Sequence, residues 1–95
     1  MNGSSLTAIE VSSPPTMNIR ILFFGLTAEV LGKSERILES VENLSCEQIA
    51  GGIVDEFPEL SKHKLLYSIN QTYATGDEIL RDGDELAIFT AVSGG

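Results

Sequence analysis

The sequence ends in Leu86-Ala87-Ile88-Phe89-Thr90-Ala91-Val92-Ser93-Gly94-Gly95, an apolar stretch followed by two glycines. Its alternation predicts a strand over residues 85–92 with apolar side chains on both faces, which is typical of the interior of a sheet. Glycine has no Cβ, so a diglycine can enter a channel that is too narrow for any side chain. We therefore interpret this stretch as a strand that presents a terminal carboxylate to another protein. Ordinary fraying of a chain end is the alternative interpretation.

A second strand of the same kind is predicted over residues 18–24, and Gly25 ends it. Its apolar residues also fall on both faces: Ile19, Ile21 and Phe23 on one, Leu22 and Phe24 on the other. Both strands are therefore expected to be buried on both faces. Thr27 is a suitable N-cap for a short helix over residues 28–31, and Gly32 is a suitable terminator. Another strand is predicted over residues 35–41.

The longest helix is predicted behind a capping box, in which the side chains of Ser45 and Gln48 satisfy each other's backbone amides. Apolar residues then follow at helical spacing up to Pro58, which ends the pattern: Ile49, Ile53, Val54 and Phe57. Gly51 and Gly52 lie inside this helix, where each costs about 1 kcal/mol relative to alanine. A close approach of the helix to the sheet explains them, and loose local order is the alternative.

The remaining elements are shorter. A third strand is predicted over residues 65–70, a polar bend over residues 71–76, and a short strand or turn over residues 78–80. The Asp-Gly pair in the segment 81–84 is a strong turn signal, and it precedes the last strand.

This order of elements predicts an α+β fold of the ubiquitin-like β-grasp type. In this fold a mixed sheet grips one main helix and has the first and last strands at its centre.

Composition limits the possible partners. The chain has 95 residues, 14 acidic against 6 basic, and a net charge of -8. This charge disfavours nucleic acid, whose phosphates require Lys and Arg, and it favours a partner with a basic surface. The sequence contains no apolar run of 18 residues, so we expect no membrane span. A single cysteine, Cys46, and the lack of a secretory signal predict a reducing, cytoplasmic location.

The length predicts a single domain preceded by an extension. Residues 1–16 are rich in Ser, Thr and Pro, lie outside every periodic segment, and are interpreted as a flexible N-terminal extension. The domain itself is expected to cover residues 17–95.

Few side chains are candidates for chemistry. Cys46 is predicted in the first turn of the long helix, where the helix dipole lowers a thiol pKa, but His63 has no motif around it that would make it a base. One cysteine and one histidine cannot form a closed zinc site. The acidic residues before the last strand fit turn formation better than a calcium loop, whose ligand spacing is absent: Asp77, Glu78, Asp82, Asp84 and Glu85.

The terminal carboxylate of Gly95 is the remaining reactive group. With an ordinary pKa of about 3.3–3.7 it is ionised at neutral pH, and an ionised carboxylate is a poor acyl donor. It therefore requires activation, most simply as an acyl adenylate made by an ATP-using partner. A sulfur nucleophile then displaces AMP.

An ordered set of segments resembles the small subunit of molybdopterin synthase over residues 17–95. The segments are Ile21-Leu22-Phe23-Phe24 before the short helix, Ser68-Ile69-Asn70-Gln71, Leu80-Arg81-Asp82-Gly83-Asp84-Glu85-Leu86-Ala87, and Val92-Ser93-Gly94-Gly95. One departure from the family is Thr90-Ala91, where its members often carry a proline pair. This departure predicts a looser base for the tail.

The resemblance implies a sulfur carrier that is not an enzyme alone and holds no permanent cofactor. Gly95 is implied to be adenylated by an E1-like enzyme and converted to a thiocarboxylate. The tail, Val92, Ser93, Gly94 and Gly95, is then implied to insert into the large subunit of a heterotetrameric synthase. There the sulfur passes to cyclic pyranopterin monophosphate and forms the dithiolene of molybdopterin.

Three other functions remain open from the sequence. A thiazole-forming sulfur carrier of thiamin synthesis has a similar fold and tail, but such chains are usually shorter and lack the short helix. A ubiquitin-like modifier attaches its terminal glycine to a lysine of another protein. An interaction module with an incidental diglycine is the third alternative.

Overall fold

The computed structural model describes residues 16–41 and 43–91. This part of the chain contains five strands and two α-helices, in this order: β1 (Met17–Phe23), α1 (Leu26–Leu31), β2 (Glu35–Ser40), α2 (Cys46–Glu56), β3 (Leu65–Ile69), β4 (Thr72–Ala74) and β5 (Glu85–Thr90). A 3-10 helix, Pro58–Lys62, follows α2. Within the two described ranges, no helix is long and apolar enough to cross a membrane.

The sheet has the strand order β2-β1-β5-β3-β4. β1 and β5 run parallel, while β2 pairs with β1, and β3 with β5 and β4, in antiparallel fashion. The last strand therefore lies in the middle of a mixed sheet, beside the first strand, as the sequence predicts. The chain leaves the sheet from this central strand.

The core lies between the sheet and α2. One face of the sheet contributes side chains that are almost completely buried, and α2 covers them with its own apolar residues: Ile19, Ile21, Phe23, Leu86 and Ile88 from the sheet, with Ile49 and Ile53 from the helix. This is the predicted β-grasp arrangement of one main helix held by the sheet.

The opposite face of the sheet carries no covering layer among the described residues. The prediction that β1 is buried on both faces is therefore wrong: Arg20 is exposed and Leu22 is only half-buried on this side. In β5, Ala87 is buried but Phe89 is half-buried. One helix can cover only one face, so the apolar residues on the other face remain partly in solvent.

The cap of the long helix is as predicted, whereas that of the short helix is not. The Gln48 amide donates to the Ser45 hydroxyl at 3.2 Å, and the Gln48 side chain accepts from the Ser45 amide at 2.9 Å. The short helix starts earlier than predicted, with Gly25 at its N-cap, and Thr27 is a buried residue inside it. Gly32 ends it in the left-handed conformation that glycine favours, as predicted.

The glycine pair in α2 is not explained by a close approach. A Cβ built on Gly51 or Gly52 meets no heavy atom within 4 Å, and both residues are exposed. Neither has a positive φ angle. The predicted close contact of helix and sheet at this point is therefore wrong.

The predicted bend over residues 71–76 contains β4. Asn70 and Gln71 have φ angles of 50° and 70° and form a two-residue hairpin turn between β3 and β4. This left-handed pair is typical of a type I′ turn, which matches the twist of the strands. Residues 78–80 form no strand, but Ile79 makes an isolated bridge to Ser45.

Candidate functional site: the base of the C-terminal tail

The predicted site residues, Val92, Ser93, Gly94 and Gly95, lie outside the described residues. The structure places the residues immediately before them, Thr90 and Ala91, at the end of the central strand β5. The site can therefore be built from the surface that surrounds the base of the tail.

Strand β3 on one side and helix α1 on the other hold this base. On one side Thr90 pairs with Leu65, and the Ala91 amide donates to the Lys64 carbonyl at 3.4 Å. A proline at position 91 would have no amide for this bond. The departure from the family pattern therefore provides one backbone hydrogen bond that proline could not make. The expectation of a looser base stays a prediction.

On the other side, Thr27 ties α1 to β5. Its hydroxyl is completely buried, and it donates to the carbonyl oxygen of Phe24 (2.7 Å) or Ile88 (2.9 Å), one at a time. It also accepts from the Phe24 amide at 3.1 Å. These bonds add to two backbone hydrogen bonds, from the Phe24 amide to the Ile88 carbonyl at 3.3 Å and from the Thr27 amide to the Phe24 carbonyl at 3.2 Å. Together they fix α1 against the strand that carries the tail.

An apolar groove of about 600 Å³ opens beside the base of the tail. Its lining comes from the β1–α1 connection and the end of β5: Phe24, Gly25, Leu26, Phe89 and Thr90. Phe24 is 51% exposed, although it is a large apolar residue. The groove and the base of the tail thus form one continuous surface.

The groove continues onto the uncovered side of the sheet, which we call the open face. Strand register places six apolar residues on this face: Leu22, Ile37, Leu66, Tyr73, Ala87 and Phe89. Tyr73 is 76% exposed, and its ring lies 6.0 Å from the Phe89 ring at a tilted angle. Contiguous exposed apolar surface of this kind typically marks a site of protein interaction.

The open face also carries charge. Arg20 pairs with Glu35 at 2.6 Å and with Glu85 at 3.2 Å, and the hydrogen bond from Glu35 raises the pKa of this guanidinium above its ordinary value. Glu39 lies on the same face, opposite Asn18. Surface ion pairs of this kind contribute little to the stability of a fold.

Cys46 is not a reactive thiol in this structure. It is completely buried, and desolvation raises its pKa from 9.0 to about 11. The prediction that the helix dipole lowers this pKa is therefore wrong, because burial disfavours the thiolate more than the helix start favours it. His63 is exposed at the end of the 3-10 helix. No group of three His, Cys, Asp or Glu residues in the described part of the chain could hold a metal ion.

The acidic residues before β5 serve turns, as predicted. The Glu78 carboxylate accepts from the amides of Thr75 (2.9 Å) and Gly76 (2.9 Å), and these bonds lower its pKa. Asp84 accepts from the Arg81 amide at 2.8 Å, and Asp82 from the Asn18 amide at 2.8 Å. Glu78, Asp82 and Asp84 thus position the backbone, whereas Glu85 pairs with Arg20.

Comparison with known proteins identifies the family. The model of the ThiS family matches residues 21–95, which include the whole of α1, α2, β2 to β5 and the tail. The chain belongs to the ThiS family. A relative from Chlamydomonas reinhardtii, the molybdopterin synthase sulfur carrier subunit, is 32% identical over 83 residues, which cover 83% of this chain and 100% of the relative.

Solved structures agree with the fold of this ThiS-family chain. SAMP1 from Haloferax volcanii superposes with a TM-score of 0.68 at 25% identity, over 82% of this chain and 99% of that one. A complex of subunits 1 and 2 of the molybdopterin-converting factor from Helicobacter pylori gives a TM-score of 0.58 at 18% identity, over 83% and 100%. The latter likeness concerns the fold alone.

Sequence reasoning did not predict the open face or the groove. The exposure of apolar side chains on β1, β4 and β5 depends on which face of the sheet α2 covers. This choice is made by the tertiary packing and is not visible in local sequence patterns. The one available signal was the presence of apolar residues on both faces of two strands, and it was taken to indicate burial.

Proposed function

We propose that this chain is the sulfur carrier subunit of a molybdopterin synthase, with Gly95 as the residue that carries the sulfur. The observation that carries the proposal is the position of the tail base, at the end of a central strand and beside an exposed apolar groove. The relative from Chlamydomonas reinhardtii, matched over its whole length, supports it.

The proposed chemistry takes place at the terminal carboxylate. A carboxylate oxygen of Gly95 attacks the α-phosphorus of ATP in an E1-like enzyme, which releases pyrophosphate and forms an acyl adenylate. A hydrosulfide ion from the sulfur donor then attacks the acyl carbon and AMP leaves, so that a thiocarboxylate remains. The adenylate and the thiocarboxylate are transient modifications, and no permanently bound cofactor is required.

In the proposed synthase, Val92, Ser93, Gly94 and Gly95 enter the large subunit and deliver sulfur to cyclic pyranopterin monophosphate. The open face and the groove dock against that subunit, because burial of exposed aromatic side chains provides most of the binding energy in typical interfaces. The strand pairing on both sides of β5 holds in place the strand that carries the tail. The assembly is expected to be a heterotetramer of two small and two large subunits.

A matched pair of variants tests this proposal. Phe24 lines the groove and Ile79 lies away from it beside α2, and both are 51% exposed. We expect Phe24→Asp to weaken binding to the large subunit by at least about tenfold, as for a central interface residue, and Ile79→Asp to leave it unchanged. Binding is measured by calorimetry, with thermal unfolding as the check on folding.

The test of the chemistry uses the same proteins. The chain is thiocarboxylated with the activating enzyme, ATP and a sulfur donor, and is then mixed with the large subunit and cyclic pyranopterin monophosphate. Formation of molybdopterin is the expected result. Failure of the thiocarboxylated wild-type chain to form molybdopterin would contradict the proposal.

A ubiquitin-like modifier is the second candidate, because the small archaeal modifier protein SAMP1 shares the fold at 25% identity. A modifier forms an isopeptide bond between Gly95 and a lysine of another protein, whereas a carrier returns to its free form. Mass spectrometry of cell extracts for lysines that bear the C-terminal residues of this chain distinguishes the two. The presence of the short helix α1 argues against a thiazole-forming sulfur carrier, because such chains usually lack this helix.

A further inference from the structure

A group of basic residues adjoins the base of the tail in an otherwise acidic chain. Lys62, His63 and Lys64 are consecutive, although the whole sequence has only 6 Lys and Arg residues against 14 acidic ones. All three are exposed. Among residues 16–41 and 43–91 the ion pairs involve Arg20 and Arg36, and none involves these three.

The fold fixes the position of this basic segment. The 3-10 helix before it is anchored by Leu60, which is completely buried, and the His63 amide donates to the Leu60 carbonyl at 3.1 Å. Lys64 is then held at the tail by the hydrogen bond that its carbonyl accepts from Ala91. The segment is therefore a fixed part of the surface from which the tail leaves.

Strand alternation assigns Lys64 to the open face. His63 has an extended backbone, with φ −123° and ψ 151°, so the alternation of β3 continues back to Lys64. Lys64 thus occupies the same side of the sheet as Leu66 and Phe89, at the end where the tail leaves. The apolar part of the open face is bounded there by positive charge.

The far part of the same face is negative. Glu35 and Glu39 lie on the edge strand β2, and Glu85 lies at the start of β5, while Arg20 offsets only one of the three charges. Strand spacing and residue rise put Lys64 and Glu39 roughly 25–30 Å apart. This separation exceeds the Debye length of about 8 Å at physiological salt, so the two ends act on a partner independently.

We propose that the open face is a docking surface with a positive end and a negative end, and that these opposite charges fix the orientation of the large subunit. It fits a partner surface with carboxylates beside the mouth of the tail channel and with lysines or arginines opposite the β2 side. The inference rests on the proposed function. It differs from the expectation from net charge alone, which predicts a basic partner on every side.

Two charge reversals of equal size test this inference. Lys64→Glu and Arg81→Glu each make the net charge more negative by two units. Lys64 is at the tail end of the sheet, whereas Arg81 is in the turn at the other end, where the Gly83 amide donates to the Asn18 carbonyl at the start of β1. The backbone bonds of both positions remain in the variants, and unchanged thermal unfolding curves verify the fold. The measurement is the rate of association with the large subunit at low and high salt.

The inference predicts that Lys64→Glu slows association about three- to tenfold at low salt and that Arg81→Glu does not slow it. The difference should shrink at high salt, because ions screen exposed charges. The inference would be overturned if Lys64→Glu associated with the large subunit at least as fast as wild type. It would also be overturned if both variants slowed association equally. A wild-type chain that binds no large subunit would instead contradict the proposed function itself.

Discussion

At the scale of single residues, Thr27 links helix α1 to β5, the strand that carries the tail. Replacing Thr27 by valine keeps its shape but removes the bonds of the buried hydroxyl, whereas the 3.3 Å bond from the Phe24 amide to the Ile88 carbonyl remains. We expect Thr27→Val to lower the free energy of unfolding by about 1–3 kcal/mol, because one donated and one accepted hydrogen bond of about 0.5–1.5 kcal/mol each are lost. Urea denaturation measures this loss.

Thr27→Ser is the matched control for that variant. It keeps the hydroxyl and loses only a methyl group, so it should retain the hydrogen bonds and cost about 1 kcal/mol or less. Equal stability of Thr27→Val and wild type would show that these bonds contribute nothing.

Cys46 gives a prediction about alkaline pH. Its pKa is about 11 in the folded chain, against an ordinary 9.0, so between these values the folded state keeps a proton that the unfolded state releases. Stability is therefore lost as the pH rises from 9 to 11, by up to about 1.4 kcal/mol per pH unit. Tyr67, whose pKa burial also raises, acts in the same direction.

Comparison of wild type with Cys46→Ala isolates the contribution of the thiol. Urea midpoints are measured across this pH range, and the wild type should lose stability more steeply than the variant. Parallel curves for the two proteins would contradict the assigned pKa.

These two residues show where sequence reasoning ends. The positions of Thr27 and Cys46 at the starts of helices were readable from local patterns, and the helices exist. Their roles were not readable, because both depend on burial. A threonine taken for a cap lies inside α1 and bonds to a distant strand, and a thiol near a helix start is desolvated by the core.

At the scale of elements, α2 is less stable than it could be. Gly51 is exposed, has no unusual φ angle, and leaves open space where a Cβ would be. Gly51→Ala should therefore raise the free energy of unfolding by about 0.5–1 kcal/mol. For a domain of this size that gain corresponds to about 2–8 °C in Tm.

Gly76→Ala is the opposite case. Gly76 has a φ of 118°, and a Cβ there would lie 2.7 Å from Cγ of Glu47. We expect calorimetric scans under the same conditions to give a Tm below that of wild type for Gly76→Ala and a Tm above it for Gly51→Ala. A loss of stability in Gly51→Ala would mean that the glycine meets a requirement that its surroundings do not reveal.

The elements themselves were largely predictable. The capping box at Ser45 and the Asp82-Gly83 turn follow from local chemistry, and the structure confirms both. Strand β4 was missed because its hairpin turn uses Asn70 and Gln71, and Gln71 is not among the residues that typically signal a left-handed turn.

At the scale of the whole molecule, we predict that the N-terminal extension is dispensable. Residues 1–15 lie outside the described residues, and their polar, proline-bearing composition is expected to bury little surface. A chain that starts at Met17 should keep its Tm and its activity in a reconstituted synthase. A large loss of either would show that the extension packs or docks.

The central claim is that the folded body delivers one reactive group, the carboxylate of Gly95. Deletion of Gly95 moves this group back by about 3.3–3.6 Å of extended chain, while a displacement of only about 1 Å can cost a hundredfold in rate. No core residue changes, so the free energy of unfolding should stay within about 0.5 kcal/mol of wild type.

The most direct measurement is the rate of molybdopterin formation by the two chains. Each is first incubated with the activating enzyme, ATP and a sulfur donor, and the C-terminal peptide is examined by mass spectrometry for replacement of one oxygen by sulfur. The large subunit and cyclic pyranopterin monophosphate are then added. We expect the wild-type chain to be thiocarboxylated and active and the deleted chain to lose at least about a hundredfold in rate. A deleted chain that forms molybdopterin at a near-normal rate would contradict the account.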